Sequence, residues 1–328
     1  MALLKIDQLN PDVVTLDVEM PDVSGLELLD EVRKKSPRLP IIMFSSLTHR
    51  AAATTLDALA RGATDYATKP SDAGSREAAA AHVRATLVPK IRLLGARPAA
   101  QALPVQNRAP LPLSVPPQAG RSRVEILAVG ASTGGPNALA EVFRSIPSLS
   151  VPVVIVQHMP PLFTKLLAER LSASCPLQFR EATHGDLLEP GVAWIAPGDH
   201  HMRVVRDGAR CRIAIDHGPP ENSCRPAVDP LFQSVAEVFG ARTLAVMLTG
   251  MGQDGFKGCE ALSARGATIV AQDEQSSIVW GMPGIVVKAG LASAVLPLGE
   301  IAADILRRTG LGSGDSTARR AQERSHAG

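Results

Sequence analysis

At 328 residues, with 45% hydrophobic and 20% charged side chains, the chain has material for two cores and the composition of an ordinary soluble protein. A net charge of +2, from 34 basic and 32 acidic residues with no dense basic block, excludes a surface built for nucleic acid, and 3% aromatic content excludes a base-stacking platform. No apolar run reaches the roughly 18 residues of a membrane span. Cys175, Cys211, Cys224 and Cys259 form no C-x-x-C pair, and Met1-Ala-Leu-Leu leads into Lys5 and Asp7 rather than a secretory core, so free thiols in a cytoplasmic protein are expected.

Residues 1–94 alternate helix and strand signals. A helix is expected over Leu3 to Leu9, a strand over Asp12 to Asp17, a helix over Gly25 to Lys35, and a strand over Ile41 to Ser45. A helix from Arg50 to Arg61, a strand from Thr64 to Lys69 and a long helix from Ser75 to Leu94 complete a parallel βα pattern. In such sheets function collects at the carboxyl ends of the strands, and Asp17, Ser45 and Lys69 stand at three successive ends.

The set Asp17-Val-Glu-Met-Pro-Asp22, Phe44-Ser-Ser46 and Lys69-Pro70 resembles the receiver domain of two-component response regulators. The resemblance implies a flavodoxin-like fold, Asp17 as phosphoryl acceptor, Ser45 as the hydroxyl switch, Lys69 as the cation, and a chemotaxis histidine kinase as phosphodonor. A carboxylate attacking phosphorus needs cationic and hydrogen-bonding groups, and usually Mg²⁺ held by further carboxylates. Receivers begin with a strand ending in that acidic pair, then a helix and a second strand. Here only Asp7 and Asp12 precede Asp17 and neither ends an apolar strand, so residues 1–94 read as a receiver lacking those three elements, with Mg²⁺ expected only if the acidic pair were present.

Residues 95–123 shift to Pro, Ala, Gln and Arg without apolar periodicity and read as a linker. From 124 to 309 the α/β pattern resumes, with strands near 124–130, 153–157, 192–196, 243–248 and 268–271 and helices near 137–146, 162–172, 228–238, 257–265 and 298–308. Residues 310–328 are rich in Gly, Ser and Arg and read as a flexible tail.

The stretch Ile126 to Pro136 reads as strand, sharp turn and helix, with Ser132 at the turn inside Gly130-Ala-Ser-Thr-Gly134. A serine there sits where a helix amino end favours developing negative charge. Val153 to His158 delivers a histidine at a strand end, and Ala245 to Gly255 delivers Asp254 within a glycine-rich turn. A hydroxyl needs an imidazole to take its proton, and the imidazole needs an anion to fix its tautomer, so Ser132, His158 and Asp254 satisfy triad logic. Met251 N–H and N–H groups near Thr133 are candidates for an oxyanion hole. An α/β-hydrolase would place its histidine after the aspartate, where only His326 remains. His200-His201 lacks the companion ligands of a zinc site. Asp229-Pro230 reads as a helix start, Trp194 and Trp280 as packing, and Ser276, Ser277 and Met282 as loop residues shaping the cleft.

That order, with Gly130-Ala-Ser-Thr-Gly-Gly-Pro136, Val156-Gln-His-Met159, Ala196-Pro-Gly-Asp-His-His-Met202, Leu248-Thr-Gly-Met-Gly-Gln-Asp-Gly255 and Gly281-Met-Pro283, is similar to the catalytic domain of CheB chemotaxis methylesterases over about 124 to 308. The resemblance implies a larger doubly wound, mostly parallel α/β domain and a protein-glutamate methylesterase. Its substrates would be methyl-accepting chemotaxis receptors, on which it hydrolyses glutamate γ-methyl esters and deamidates glutamines. It implies no catalytic cofactor, no nucleic acid and no membrane insertion. A serine hydrolase for other esters and a non-catalytic receptor adaptor remain the alternatives on residues alone.

Overall fold

A computed structural model describes residues 2–20, 24–70, 74–96 and 123–310. The linker expected at 95–123 and the tail expected at 310–328 fall almost wholly outside the described residues. The chain divides into two compact units, Met1–Arg121 and Ser122–Gly328.

The first unit runs α1 (Ala2–Leu9), β1 (Val14–Asp17), α2 (Gly25–Lys35), β2 (Ile41–Ser45), α3 (His49–Ala60), β3 (Asp65–Thr68), α4 (Arg76–Thr86) and α5 (Val88–Gly95). Its three strands pair in parallel in the order β1-β2-β3. Helix starts follow the sequence chemistry. Ser24 and Glu27 form a reciprocal capping box on α2, while Thr48 and Ser75 accept from Ala51 N–H and Ala78 N–H at α3 and α4. The α2 face carrying Leu29 and Val32 is buried, and its last turn is basic, which suits the helix dipole.

The helix expected to run unbroken from Ser75 to Leu94 is instead two helices meeting at Leu87. Pro89 is the cause, because its nitrogen has no hydrogen for the carbonyl four residues earlier and its ring crowds that carbonyl. Inside the first turn of α5 the same proline is tolerated.

The second unit runs β4 (Ile126–Ala131), α6 (Gly135–Arg144), β5 (Val153–Gln157), α7 (Phe163–Ser174), β6 (Gln178–Glu181), β7 (Val192–Ile195), β8 (His201–Asp207) and β9 (Arg210–Asp216). It continues with α8 (Val228–Phe239), β10 (Thr243–Met247), α9 (Phe256–Ala264), β11 (Thr268–Gln272), α10 (Met282–Lys288), β12 (Ala294–Leu296) and α11 (Leu298–Thr309). Seven strands form one sheet, β12-β11-β10-β4-β5-β7-β6, every neighbouring pair parallel. The hairpin β8-β9 is separate and antiparallel.

Strands β4, β5 and β10 are buried along their whole length, as near-continuous Val, Ile, Leu and Ala runs demand when helices cover both faces of a parallel sheet. From β4 the chain first builds one side of the sheet through β5, then returns to build the other through β10. The carboxyl ends of β4, β10 and β5 therefore lie side by side at the point where strand order reverses, the position at which doubly wound sheets open a crevice. No helix of the described residues is long and apolar enough to cross a membrane.

Candidate active site

Each of the three candidate residues of the second unit follows one of those adjacent strands. Ser132 is the first residue past β4, with its N–H donating to Thr249 O at 3.0 Å and its carbonyl accepting from Gly135 N–H at 2.8 Å. Between them Gly134 adopts φ +78°, and a Cβ there would also press on Ile278 Cγ1 at 2.7 Å, so glycine is required both for conformation and for space. The turn leaves Ser132 at the amino end of the ten-residue helix α6. Gly250 presses closely on it, since a Cβ on Gly250 would lie 2.8 Å from Ser132 Cβ.

His158 is the first residue past β5, its N–H donating to Ala131 O at 3.2 Å. The buried Gln157 amide donates to Ser132 O at 3.0 Å and to His158 O at 3.4 Å, so one side chain ties the serine turn to the histidine turn. His158 Nε2 lies 2.7 Å from Asp254 Oδ2, with the two side chains 11% and 2% exposed. That contact assigns the ring proton to Nε2 and leaves Nδ1 as the acceptor. Among the described residues no hydrogen bond joins Ser132 Oγ to His158; Nδ1 instead faces Cys224 Sγ at 3.5 Å.

Asp254 is buried and fully ligated. Besides the imidazole, its carboxylate accepts from the N–H groups of Val228 at 2.5 Å and Asp229 at 3.2 Å, the first residues of α8, and from Asn222 Nδ2 at 3.0 Å. A helix amino end and two side chains thus offset the loss of water around the charge. Burial pushes the Asp254 carboxyl up, but the His158 hydrogen bond and charge and the α8 N–H groups outweigh it and hold it below its ordinary value. Burial alone would lower His158; the Asp254 and Cys224 hydrogen bonds and charges reverse this and raise it well above an ordinary imidazole.

Sequence reasoning missed three residues here. Asp229, read only as a helix start, is buried at 1% exposure beside Asp254, accepts from Gly258 N–H at 2.7 Å, and is pushed up by burial and by its neighbour's charge. Asn222 Nδ2 donates to both carboxylates, at 2.9 Å to Asp229 Oδ2 and 3.0 Å to Asp254 Oδ1. Cys224 was one free thiol among four. No periodicity marks these residues, because the loop before α8 and the first turn of α8 bring them together by tertiary contact alone. Met282, expected in a loop, is the buried first residue of α10 and packs its sulfur against Gly250.

Of the candidate oxyanion groups, Met251 N–H has no hydrogen-bond partner among the described residues and follows the tightly packed Gly250. Thr133 is buried, and its carbonyl accepts from Thr249 Oγ1 at 2.9 Å.

In the first unit, Asp17, Ser45 and Lys69 lie at the ends of β1, β2 and β3 as expected, but they meet only in part. Lys69 Nζ lies 2.7 Å from Asp17 Oδ2, both side chains about one-third exposed at 30% and 36%. The Ser45 hydroxyl is buried and turned to the carbonyls of Ser46 and Ala51 at 3.2 Å. Among the described residues no group of three His, Cys, Asp or Glu could hold a metal ion, and the Asp17 carboxylate is engaged by Lys69 and Glu19 N–H. These donors do not fit the several oxygen ligands Mg²⁺ requires.

Comparison with known proteins gives two family matches: "CheB methylesterase" over residues 127–305 and "Response regulator receiver domain" over residues 1–80. A protein-glutamate methylesterase/protein-glutamine glutaminase of Trichodesmium erythraeum is 49% identical over 94% of this chain and 89% of its own length. Another of the same name from a Nocardioides species is 47% identical over 94% of this chain and 85% of its own length. Among solved structures, the catalytic domain of the CheB methylesterase of Thermotoga maritima aligns with a TM-score of 0.55 at 38% identity, covering 57% of this chain and 99% of that domain.

Proposed function

The chain belongs to the CheB methylesterase family, and from that premise we propose that Ser132, His158 and Asp254 are the nucleophile, the base and the orienting carboxylate of a chemotaxis enzyme. Its substrates are glutamate γ-methyl esters on the cytoplasmic helices of methyl-accepting receptors. The observation that carries the reading is the 2.7 Å contact of His158 Nε2 with the buried Asp254, at strand ends flanking the one that delivers Ser132.

Ser132 Oγ attacks the ester carbon while His158 takes its proton. With Nε2 held by Asp254, the nitrogen left for that proton is Nδ1. Met251 N–H and backbone near Thr133, with the α6 amino end, offset charge on the carbonyl oxygen. His158 returns the proton to the departing methanol, and a water activated at the same nitrogen releases glutamate from the acyl-enzyme. Ammonia in place of methanol makes the same cycle a glutamine deamidation. In the first unit the family pattern gives Asp17 the place of the phosphoryl acceptor, Ser45 that of the switch and Lys69 that of the cation, with a chemotaxis histidine kinase as donor; with no ligand set that fits Mg²⁺ among the described residues, weak or no phosphorylation of this chain is expected. The protein works in the cytoplasm.

The test is methanol release from methylated chemoreceptor membranes by this chain and by Ser132→Ala. Release is expected to vanish with the substitution. Survival would remove Ser132 as nucleophile, and absence from both proteins would remove the receptor ester as substrate.

A further inference from the structure

Cys224 reaches the active site on a loop that is held unusually firmly. Asn222 and Ser223 just before it both take left-handed backbone, φ +51° and +63°, a region that non-glycine residues other than asparagine seldom adopt. Asn222 is fixed by its amide to Asp229 and Asp254. On the other side, Arg225 grips Asp199 Oδ1 with Nε at 2.9 Å and Nη2 at 2.6 Å, and donates from Nη1 to Gly218 O at 2.9 Å. Between these anchors the Cys224 thiol stands 3.5 Å from His158 Nδ1, the nitrogen that has to receive the serine proton.

Cys224, His158 and Asp254 are thus thiol, imidazole and carboxylate in series, the arrangement that turns a cysteine into a nucleophile when the imidazole takes its proton. Among the described residues the other thiols have no such partner: Cys175 and Cys259 are buried and Cys211 is half-buried, and burial pushes all three up, away from thiolate. Cys224 is only partly buried, so a small reagent can reach it.

We propose that Cys224 is a covalent modification site, a thiol activated by His158 that accepts soft carbon electrophiles and stops ester hydrolysis once modified. With iodoacetamide the sulfur forms a bond to the reagent's methylene carbon. The carbon–iodine bond breaks, iodide leaves with the electron pair, and the thiol proton passes through His158 Nδ1 to solvent. The attached group then fills the space beside Nδ1 and keeps the imidazole from Ser132. The inhibition rests on the esterase reading above; the reactivity does not.

The experiment labels the full chain with iodoacetamide at pH 7, follows each cysteine by peptide mass spectrometry, and measures methanol release on the same samples. Cys224 is expected to label roughly tenfold faster than Cys211, the advantage of a thiol whose proton an adjacent imidazole can take. Hydrolysis should fall in step with Cys224 occupancy. In His158→Gln the advantage should disappear, which separates activation from mere exposure. Whatever hydrolysis Cys224→Ser retains should be insensitive to the reagent, an arm that needs no folded His158 variant. Equal labelling of Cys224 and Cys211, or a Cys224 rate unchanged in His158→Gln, overturns the activation. Complete Cys224 labelling with hydrolysis intact overturns the inhibition. If the untreated chain releases no methanol, the esterase reading fails while the labelling rates still decide the thiol.

Discussion

Asp17 ends strand β1 and Asp254 lies in the glycine-rich turn that follows strand β10, and the same carboxylate is set in opposite surroundings. Asp17 is 36% exposed and held by one flexible lysine and one backbone N–H, a carboxylate whose oxygens a reagent can reach. Asp254 is 2% exposed and accepts from an imidazole, an amide and two N–H groups of a helix start. A buried carboxylate with every lone pair engaged orients its partners and does not react; an exposed, loosely held one has the freedom a phosphoryl acceptor needs. What separates the two is their surroundings, not their residue type.

The difference can be broken from the most consequential end downward. Ser132→Ala should remove about 10⁶-fold of the hydrolysis rate, the size seen when a serine nucleophile is lost from an interdependent triad, measured as methanol release. Asp254→Asn should cost roughly 10⁴-fold, because an amide holds the imidazole in the wrong tautomer.

The same variant has a signature in pH. The base works unprotonated, and Asp254 raises His158 above its ordinary 6.5, so the rate should climb with pH along a limb lying above that value. Removing the carboxylate charge should move the limb to lower pH, and a limb that stays in place would show that Asp254 does not tune this base. Asn222→Ala leaves the two buried carboxylates without their shared donor; a loss of about 10- to 100-fold in kcat, the scale of a misplaced catalytic group, is expected from steady-state kinetics.

Smaller effects test the scaffold. Gly134→Ala forces a side chain into left-handed backbone against Ile278 and should destabilise the second unit by about 1–3 kcal/mol in denaturant melts. Lys69→Ala, which breaks the one-third-exposed pair with Asp17, should change the stability of the first unit by less than about 1 kcal/mol and leave methanol release unchanged in the absence of phosphodonor. A large loss there would mean that the Asp17 pair is structural after all.

Apolar patterning alone marks the strands that matter most. Buried parallel strands are almost uniformly apolar, so β4, β5 and β10 announce themselves, and the polar residues in the turns that follow them are legible as candidates. Where the signal is weaker, elements escape. Strand β12 has three residues, the polar-rich hairpin β8–β9 turns at Gly208-Ala209 without an apolar run, and the chain of helix signals before Leu94 hides the break that Pro89 imposes. How the charges are lodged follows only from the packing of distant segments. Whether Asp254 is buried, whether Asp229 stands beside it, and whether Asn222 and Cys224 reach Asp254 and His158 depend on segments that meet from 25 to 66 residues apart in sequence. Burial and hydrogen bonding between such distant segments leave no local period, since they follow from how the loop packs and not from which residue precedes which.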